Sequence, residues 1–347
     1  MKNSLIIGFG VWLLLAIIAI PFPYVYLPRF SYTHSDSLLL CQVVIGLFPI
    51  SLLLSYFAKN LQLSRANQLQ TLYVVLSYVL ALYLFKYGFD KLFQEQFYFP
   101  EPNILHTPLG KLSKDILFWS AMGASFWYNI FMGLIEIIPA LLLLHHRTRM
   151  FGAFITFGVL LNVWAINMSF DISVKVLSSL LLLNAIYLLS FSWKNYFYFF
   201  TGESTQATKK EILLEKKPLI KRMLKGTVIA LFCIEVLLPF ITRERNENLT
   251  SSYLILGETN DDTIFESCKR IHFHSKGWLI LESEEQEFED YKIIHLAKDL
   301  FRLEDTDAEI LISNDNLQLK ESGVIFKIKI REIDLGDFAL KRFNPSF

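Results

Sequence analysis

The sequence contains little charge and few cysteines. Of its 347 residues, 19% are charged and 53% are hydrophobic, and the formal net charge is zero. A soluble domain of this length carries more charge, so the composition favours a membrane protein. The three cysteines, Cys41, Cys233 and Cys268, lie far apart without a C-x-x-C motif. This spacing excludes a readable thiol relay or disulfide framework.

Apolar segments long enough to cross a bilayer recur along the first two-thirds of the chain. Crossing takes about 20 residues, and the sequence therefore predicts a mainly α-helical membrane protein with about seven transmembrane helices. The predicted spans are 5–27, 38–57, 71–86, 127–144, 150–168, 174–191 and 224–241.

Lysine and arginine cluster between the sixth and seventh predicted spans. Beside helix ends such a cluster indicates the cytoplasmic side rather than nucleic-acid binding. We therefore expect a bacterial inner-membrane protein with a cytoplasmic N-terminus and a periplasmic C-terminal domain. The predicted divisions are an N-terminal helical pair (1–70), a helical bundle (71–192) with an external loop (87–126), a basic cytoplasmic linker (193–223), a last transmembrane helix (224–241) and an external β-domain (246–347). Within the loop, residues 109–119 predict an amphipathic interfacial or re-entrant helix anchored by Trp119.

The last hundred residues change from helical to alternating periodicity. Short alternating runs separated by turn signals predict a small antiparallel barrel or sandwich. The predicted strands are 253–256, 270–274, 278–281, 310–312 and 324–330. His272 and His274 share one strand face, but the sequence provides no evident ligands to complete a zinc site with His295, and no metal is predicted.

Glu136 lies at the midpoint of the fourth predicted span. A carboxylate at membrane depth is costly, so it usually faces a bundle interior and marks a function, although it can also simply join helices. Gly133 and Ala140 share its helix face. The next helix carries a similar stripe, Gly158, Asn162, Ala165 and Ser169, and we expect Glu136 and Asn162 to meet there.

A second set of charges lies near the predicted outer mouth. Lys91 ends the third helix, and Asp171 and Lys175 begin the sixth at a spacing of four residues. This spacing favours a helix-start ion pair, with Asp171 or Ser173 as the N-cap. The alternative is that Lys91 and Lys175 form a cationic rim for an anionic headgroup or a partner protein.

Five motifs of the bundle occur together: Gly88-x-x-Lys91, Gly133-x-x-Glu136, Arg147-Thr148-Arg149, Asn162 with Asn167, and Phe170-Asp171-Ile172-Ser173-Val174-Lys175. Together these motifs resemble the DoxX-like membrane proteins, and in particular a long Bacteroidetes-type subset with a strand-rich C-terminal module. The resemblance covers about residues 73–192. It implies a four-helix bundle core and, for some members, sulfur or quinone redox chemistry and oxidative stress. Pro139 and Ala140 depart from the family pattern, in which glycine is usual near the acidic residue.

Two functions follow as expectations. In the first, the bundle binds a quinone or lipid-like ligand within a membrane redox assembly; the ligand-binding candidates are Glu136, Asn162, Asn167, Lys91, Asp171 and Lys175. The sequence shows no haem, flavin or iron–sulfur pattern, so electrons would come from a partner, and the chain is expected not to be an enzyme on its own. In the second, the bundle is a scaffold for a β-domain that binds an envelope protein, peptide or lipid. A transporter is disfavoured by the lack of an inverted repeat.

Overall fold

The chain divides into two compact units in a computed structural model. The structure describes residues 2–20, 36–58, 64–202, 226–227, 230, 234, 250–256, 264–297, 299–304, 308–313, 315–321 and 324–334. One unit comprises Met1–Gln96 and Trp127–Leu237, and the other comprises Phe97–Phe126 and Leu238–Phe347. Most of the predicted external loop therefore belongs with the C-terminal strands, whereas the sequence grouped it with the helical bundle.

Six of the nine α-helices of the described residues, α1 to α3 and α6 to α8, correspond to predicted apolar segments. In chain order they are α1 (Lys2–Ala19), α2 (Leu38–Phe57), α3 (Arg65–Leu92), α4 (Pro102–His106), α5 (Lys114–Gly123), α6 (Phe126–Leu144), α7 (Arg149–Ser169), α8 (Lys175–Ser190) and α9 (Trp193–Thr201).

Four of these helices, α2, α3, α6 and α7, are long and apolar enough to cross a membrane. Helices α8 and α9 are also long and apolar enough when taken together, but the chain bends by 69° between them. If this pair is one span, the described residues contain up to five spans. The predicted number of seven is not confirmed. Helix α1 is apolar but shorter, and most of the predicted span 224–241 lies outside the described residues.

The core of the helical unit forms around α3, whose middle turns are buried. Leu76, Leu80 and Ala81 are fully buried there, and Ala185 and Leu188 of α8 belong to the same core. Polar side chains also join the helices, because a hydrogen bond between helices is retained in an apolar surround. The indole of Trp12, for example, donates to the carbonyl of Val44 at 2.8 Å.

The other unit contains a closed, eight-stranded antiparallel barrel. Each strand pairs with the next and β8 closes on β1, so the predicted alternative of a barrel is confirmed over a sandwich. The five predicted strands correspond to β1, β2, β3, β6 and β8. The bounds are β1 (Ser251–Ile255), β2 (Cys268–His274), β3 (Trp278–Ser283), β4 (Phe288–Ala297), β5 (Leu300–Leu303), β6 (Glu309–Ser313), β7 (Asn316–Glu321) and β8 (Val324–Glu332).

The segment 97–126 packs on the outside of β1 and β2 rather than forming one amphipathic helix over 109–119. It contains α4, a 3₁₀ turn at Leu109–Lys111 and α5. The Glu101 carboxylate, which is buried, accepts hydrogen bonds from the backbone and hydroxyl of Ser275, beyond β2. A side chain at Gly123 would collide with the Tyr98 carbonyl, so glycine is required where the segment folds back on itself.

Candidate functional site

Two glycines bring α3 and α6 into backbone contact. A Cβ at Gly133 would lie 2.7 Å from the carbonyl oxygen of Gly88, and a Cβ at Gly88 would lie 3.0 Å from the carbonyl oxygen of Gly133. Such close approach of helices in an apolar environment depends on small residues at the crossing. Lys91 and Glu136 each lie three residues beyond one of these glycines, and hence on the same helix faces.

Lys91 and Glu136 form a buried ion pair across this crossing. The ammonium of Lys91 donates to the two carboxylate oxygens of Glu136 at 3.0 and 2.9 Å. Their side chains are only 4% and 3% exposed. The sequence predicted both residues as site candidates but placed them in separate clusters, whereas the structure brings them together.

The ion pair lies within a larger polar cluster. Lys91 also donates to the amide oxygen of Gln96 at 2.8 Å, just beyond the end of α3. One turn earlier on α3, Lys86 and Asp90 form a second ion pair at 3.1 Å, with little exposure of either side chain. Each of these two lysines is therefore paired with a carboxylate. Pairing avoids the large desolvation cost of an unpaired buried ion.

The structure does not bring Asn162 to Glu136. The hydrogen bonds of Glu136 go to Lys91, and Asn162 lies with Gly158, Ala165 and Ser169 on an exposed face of α7. A small-residue stripe can face lipid as well as a neighbouring helix, and the sequence alone did not distinguish the two. The inward face of α7 instead carries Gly152, Ala153, Thr156, Leu160 and Asn167. Asn167 is thus buried.

Asp171 and Lys175 form the predicted ion pair, at 2.7 Å, with Asp171 largely exposed. The predicted N-cap is wrong. The amides of Lys175 and Val176 donate instead to the carboxylate of Asp36, at 3.0 and 2.9 Å. The alternative, a cationic rim of Lys91 and Lys175, does not fit the structure, because Lys91 is buried against Glu136 and Lys175 is paired with Asp171.

A second polar network lies on the outer side of β1, β2 and β3. The hydroxyl of Ser252 contacts Nδ1 of His272 at 2.8 Å, and Nε2 of His272 contacts the Glu282 carboxylate at 2.9 Å. The other oxygen of Glu282 accepts from Arg270 at 2.7 Å. Strand register explains this network, since Ser252 and Arg270 lie directly opposite His272 and Glu282 respectively. The sequence identified His272 but, without the register, could not identify its partners.

This network resembles a serine–histidine–carboxylate arrangement, but its burial argues for a structural role. Ser252 and His272 are fully buried, and Glu282 nearly so. A nucleophile has to reach its substrate, whereas this serine is enclosed. The ring of His106, in α4, lies 5.3 Å from that of His272. In the part of the chain that the structure describes, no three His, Cys, Asp or Glu side chains are grouped as a metal site.

Titration of this network follows from burial and charge. Burial of His106, reinforced by the charges of His272 and Arg270, lowers its pKa from 6.5 to about 4. Burial alone would raise the pKa of Glu282, but the hydrogen bond from His272 and the charge of Arg270 outweigh it and lower that pKa. Burial raises the pKa of the Cys268 thiol to about 12, so this thiol is protonated and unreactive at neutral pH.

Comparison with known proteins identifies one informative similarity. The chain is 37% identical over 110 residues to the uncharacterized protein YwoB of Bacillus subtilis (strain 168). The match covers 32% of this chain and 70% of YwoB. No family model matches the chain. No solved structure matches it either.

Proposed function

Since the chain belongs to the family of the uncharacterized Bacillus subtilis protein YwoB, we propose a function from its own site: it binds a quinone or lipid-like ligand at Lys91 and Glu136. In this proposal it is an integral protein of the bacterial inner membrane, of the DoxX-like type. The barrel lies in the periplasm and the N-terminus in the cytoplasm. The chain supplies the binding site, and a redox partner protein supplies any electrons.

The observation that carries this proposal is the set of acceptors around Lys91. An ammonium has three N–H donors. Two bonds go to Glu136, a fixed counter-ion on a neighbouring helix, and Gln96 supplies a neutral amide oxygen at 2.8 Å. The carbonyl of Tyr87, one turn earlier on α3, is a more distant acceptor at 3.4 Å. A ligand carbonyl can take the place of that amide oxygen without disturbing the ion pair. A few polar groups converging in an apolar surround are the usual form of such a site.

Quinone content of the purified full-length protein tests the proposal. Quinones and lipids extracted from wild type, Lys91→Met and Lys175→Met are quantified by mass spectrometry. Loss of a charge-assisted hydrogen bond corresponds to about a tenfold loss of affinity or more, so Lys91→Met should retain about a tenth of the ligand or less. Lys175→Met is the matched control, since it removes a paired lysine outside this cluster.

A further variant makes the test specific. Gln96→Ala removes the amide oxygen that competes for Lys91, so a short-chain menaquinone should bind it more tightly than it binds wild type. Equal ligand content in wild type, Lys91→Met and Lys175→Met, or weaker menaquinone binding by Gln96→Ala, would contradict the proposal.

The alternative function is a scaffold whose barrel binds an envelope protein, peptide or lipid. The observation in its favour is a row of apolar side chains on the outside of neighbouring strands β4 to β6: Ile294, Leu296 and Leu311 are 46%, 42% and 38% exposed. Exposed apolar patches on a soluble domain often mark interaction surfaces. Deleting the barrel is a poor test, because residues 97–126 belong to its unit.

Point variants separate the two functions in a strain that lacks the gene. If the bundle site is essential, Glu136→Gln fails to restore the deletion phenotype and Leu296→Glu/Leu311→Glu restores it. The scaffold function predicts the reverse. Restoration by both variants would contradict both functions. Membrane content of each variant is measured by immunoblot, so that loss of insertion is recognised.

A further inference from the structure

Helix α9 turns away from the preceding helix at an angle that a continuing span does not have. Helix α8 ends at Ser190, and α9 begins at Trp193 with its axis bent by 69°. If α8 crosses the bilayer near its normal, α9 runs close to the membrane plane. Six of the nine residues of α9 are aromatic: Trp193, Tyr196, Phe197, Tyr198, Phe199 and Phe200.

Three aromatic residues of α9 form one face of the helix. Trp193, Phe197 and Phe200 follow the i, i+4, i+7 spacing of a single face, and they are 61%, 55% and 66% exposed. Asn195 lies on the opposite side of the helix and is also exposed, with Tyr198 and Phe199 near it. The exposed Lys194 lies between the two sides. Large apolar side chains exposed along a whole helix face need an apolar surround.

One edge of α9 is held against the beginning of α7. The hydroxyl of Tyr196 donates to the carbonyl of Met150 at 2.7 Å. The ring of Phe154 contacts those of Tyr196 and Phe200, with centroids 5.8 and 5.6 Å apart. These contacts fix the direction of α9 within the helical unit.

The charge of the following sequence complements an anionic membrane surface. Residues 194–225 contain eight lysines and arginines and three glutamates, a net charge of +5 (8 − 3). Tryptophan and tyrosine favour the headgroup region, and basic residues near a membrane are attracted to anionic lipids. An amphipathic helix with these features typically lies in the interface.

We propose that α9 is an interfacial helix whose face Trp193, Phe197 and Phe200 inserts between headgroups and acyl chains of the cytoplasmic leaflet, beside anionic lipids. The proposal rests on the membrane location stated in the proposed function, because α8 has to span for α9 to lie in the interface. It assigns the partner of this exposed face as lipid.

Nitroxide labels on full-length protein in phosphatidylcholine–phosphatidylglycerol vesicles test it. Cys41 and Cys233 are replaced by serine, and the buried Cys268 is retained. Single cysteines are introduced by Phe197→Cys, Asn195→Cys and, as a mid-span reference in α2, Ile45→Cys. Frequent collision with oxygen shows that a label lies in lipid, and frequent collision with a water-soluble nickel chelate shows that it lies in water. We expect the oxygen-to-nickel ratio to fall several-fold from the label at 45 to that at 197, and again to that at 195.

Each other result has a distinct meaning. If the labels at 195 and 197 are both as deep as that at 45, α9 continues a span and the proposal is overturned. If both are in water while that at 45 is in lipid, α9 does not bind the membrane, although the protein is inserted. If all three labels are in water, the proposed membrane location of the protein is contradicted as well. Circular dichroism of each labelled variant verifies that the helices are retained.

Discussion

Gly133 lies against Gly88 so closely that neither position has room for a methyl group. The nearest atoms to a Cβ at Gly133 include the Gly88 carbonyl oxygen at 2.7 Å, which belongs to the backbone and cannot rotate away. The contact of α3 with α6, and with it the ion pair of Lys91 and Glu136, therefore depends on these two glycines.

Gly133→Ala is expected to destabilise the helical unit. Overpacking a close contact costs about 1–3 kcal/mol, and thermal unfolding in detergent should show a lower midpoint. Gly158→Ala is the matched control, because a Cβ there meets no atom within 4 Å and alanine favours the helix. Equal midpoints for Gly133→Ala and wild type would show that the helices separate without cost.

Lys91 and Glu136 are expected to be strongly coupled. Removing one partner leaves a buried charge uncompensated, which costs about 3–5 kcal/mol, whereas replacing both by apolar residues restores much of the stability. The variants Lys91→Met, Glu136→Leu and the double variant form a thermodynamic cycle, measured by chemical unfolding in detergent. Additive losses in the double variant would contradict the coupling.

The sequence predicted the helices and the barrel well, because both rest on hydrophobic periodicity. It missed β4, β5 and β7 for related reasons. Strand β4 buries only Ile293 and exposes most of its residues, so its apolar alternation is weak. Strands β5 and β7 are short and adjoin polar turns. The sequence did not decide between a barrel and a sandwich. Closure of the barrel depends on the pairing of β8 with β1, which lie far apart in the chain.

The candidate site was predicted in its residues but not in its contacts. Gly88-x-x-Lys91 and Gly133-x-x-Glu136 are visible in the sequence, but 45 residues separate Lys91 from Glu136, and periodicity does not say which faces meet. The exposed stripe of α7 shows the same difficulty, since small residues at helical spacing were assigned inward and lie outward. Helix rotation is decided by tertiary packing.

Asp36 is expected to stabilise α8 from a distance of 139 residues along the chain. Loss of an N-cap costs about 0.5–2 kcal/mol, so Asp36→Ala should lower the unfolding midpoint. Lys175→Ala removes both of its ion pairs, with Asp36 and Asp171, but keeps the cap, and it should have a smaller effect. An equal loss in both variants would mean that charge pairing, rather than capping, is the source.

Stability of the barrel unit is expected to fall as the pH is lowered from 6.5 to 4.5. The pKa of His106 is about 4 in the folded chain and has its ordinary value of 6.5 in the unfolded chain, so within this window the unfolded chain binds more protons. Protonation therefore favours unfolding there. The lowered pKa of Glu282 acts in the same direction only at more acidic pH, near and below 4.5, because its carboxyl is ionised in both states above that value.

His106→Gln should weaken the pH dependence of stability in this window, because it removes a group whose pKa is lower in the folded than in the unfolded chain. Hydrogen exchange of peptides from β1 to β3, corrected for the pH dependence of intrinsic exchange, measures this unit separately from the helices. His145→Gln, at an exposed position in the helical unit, is the control and should retain the wild-type slope. An equal slope in wild type and His106→Gln would mean that another group carries the pH dependence.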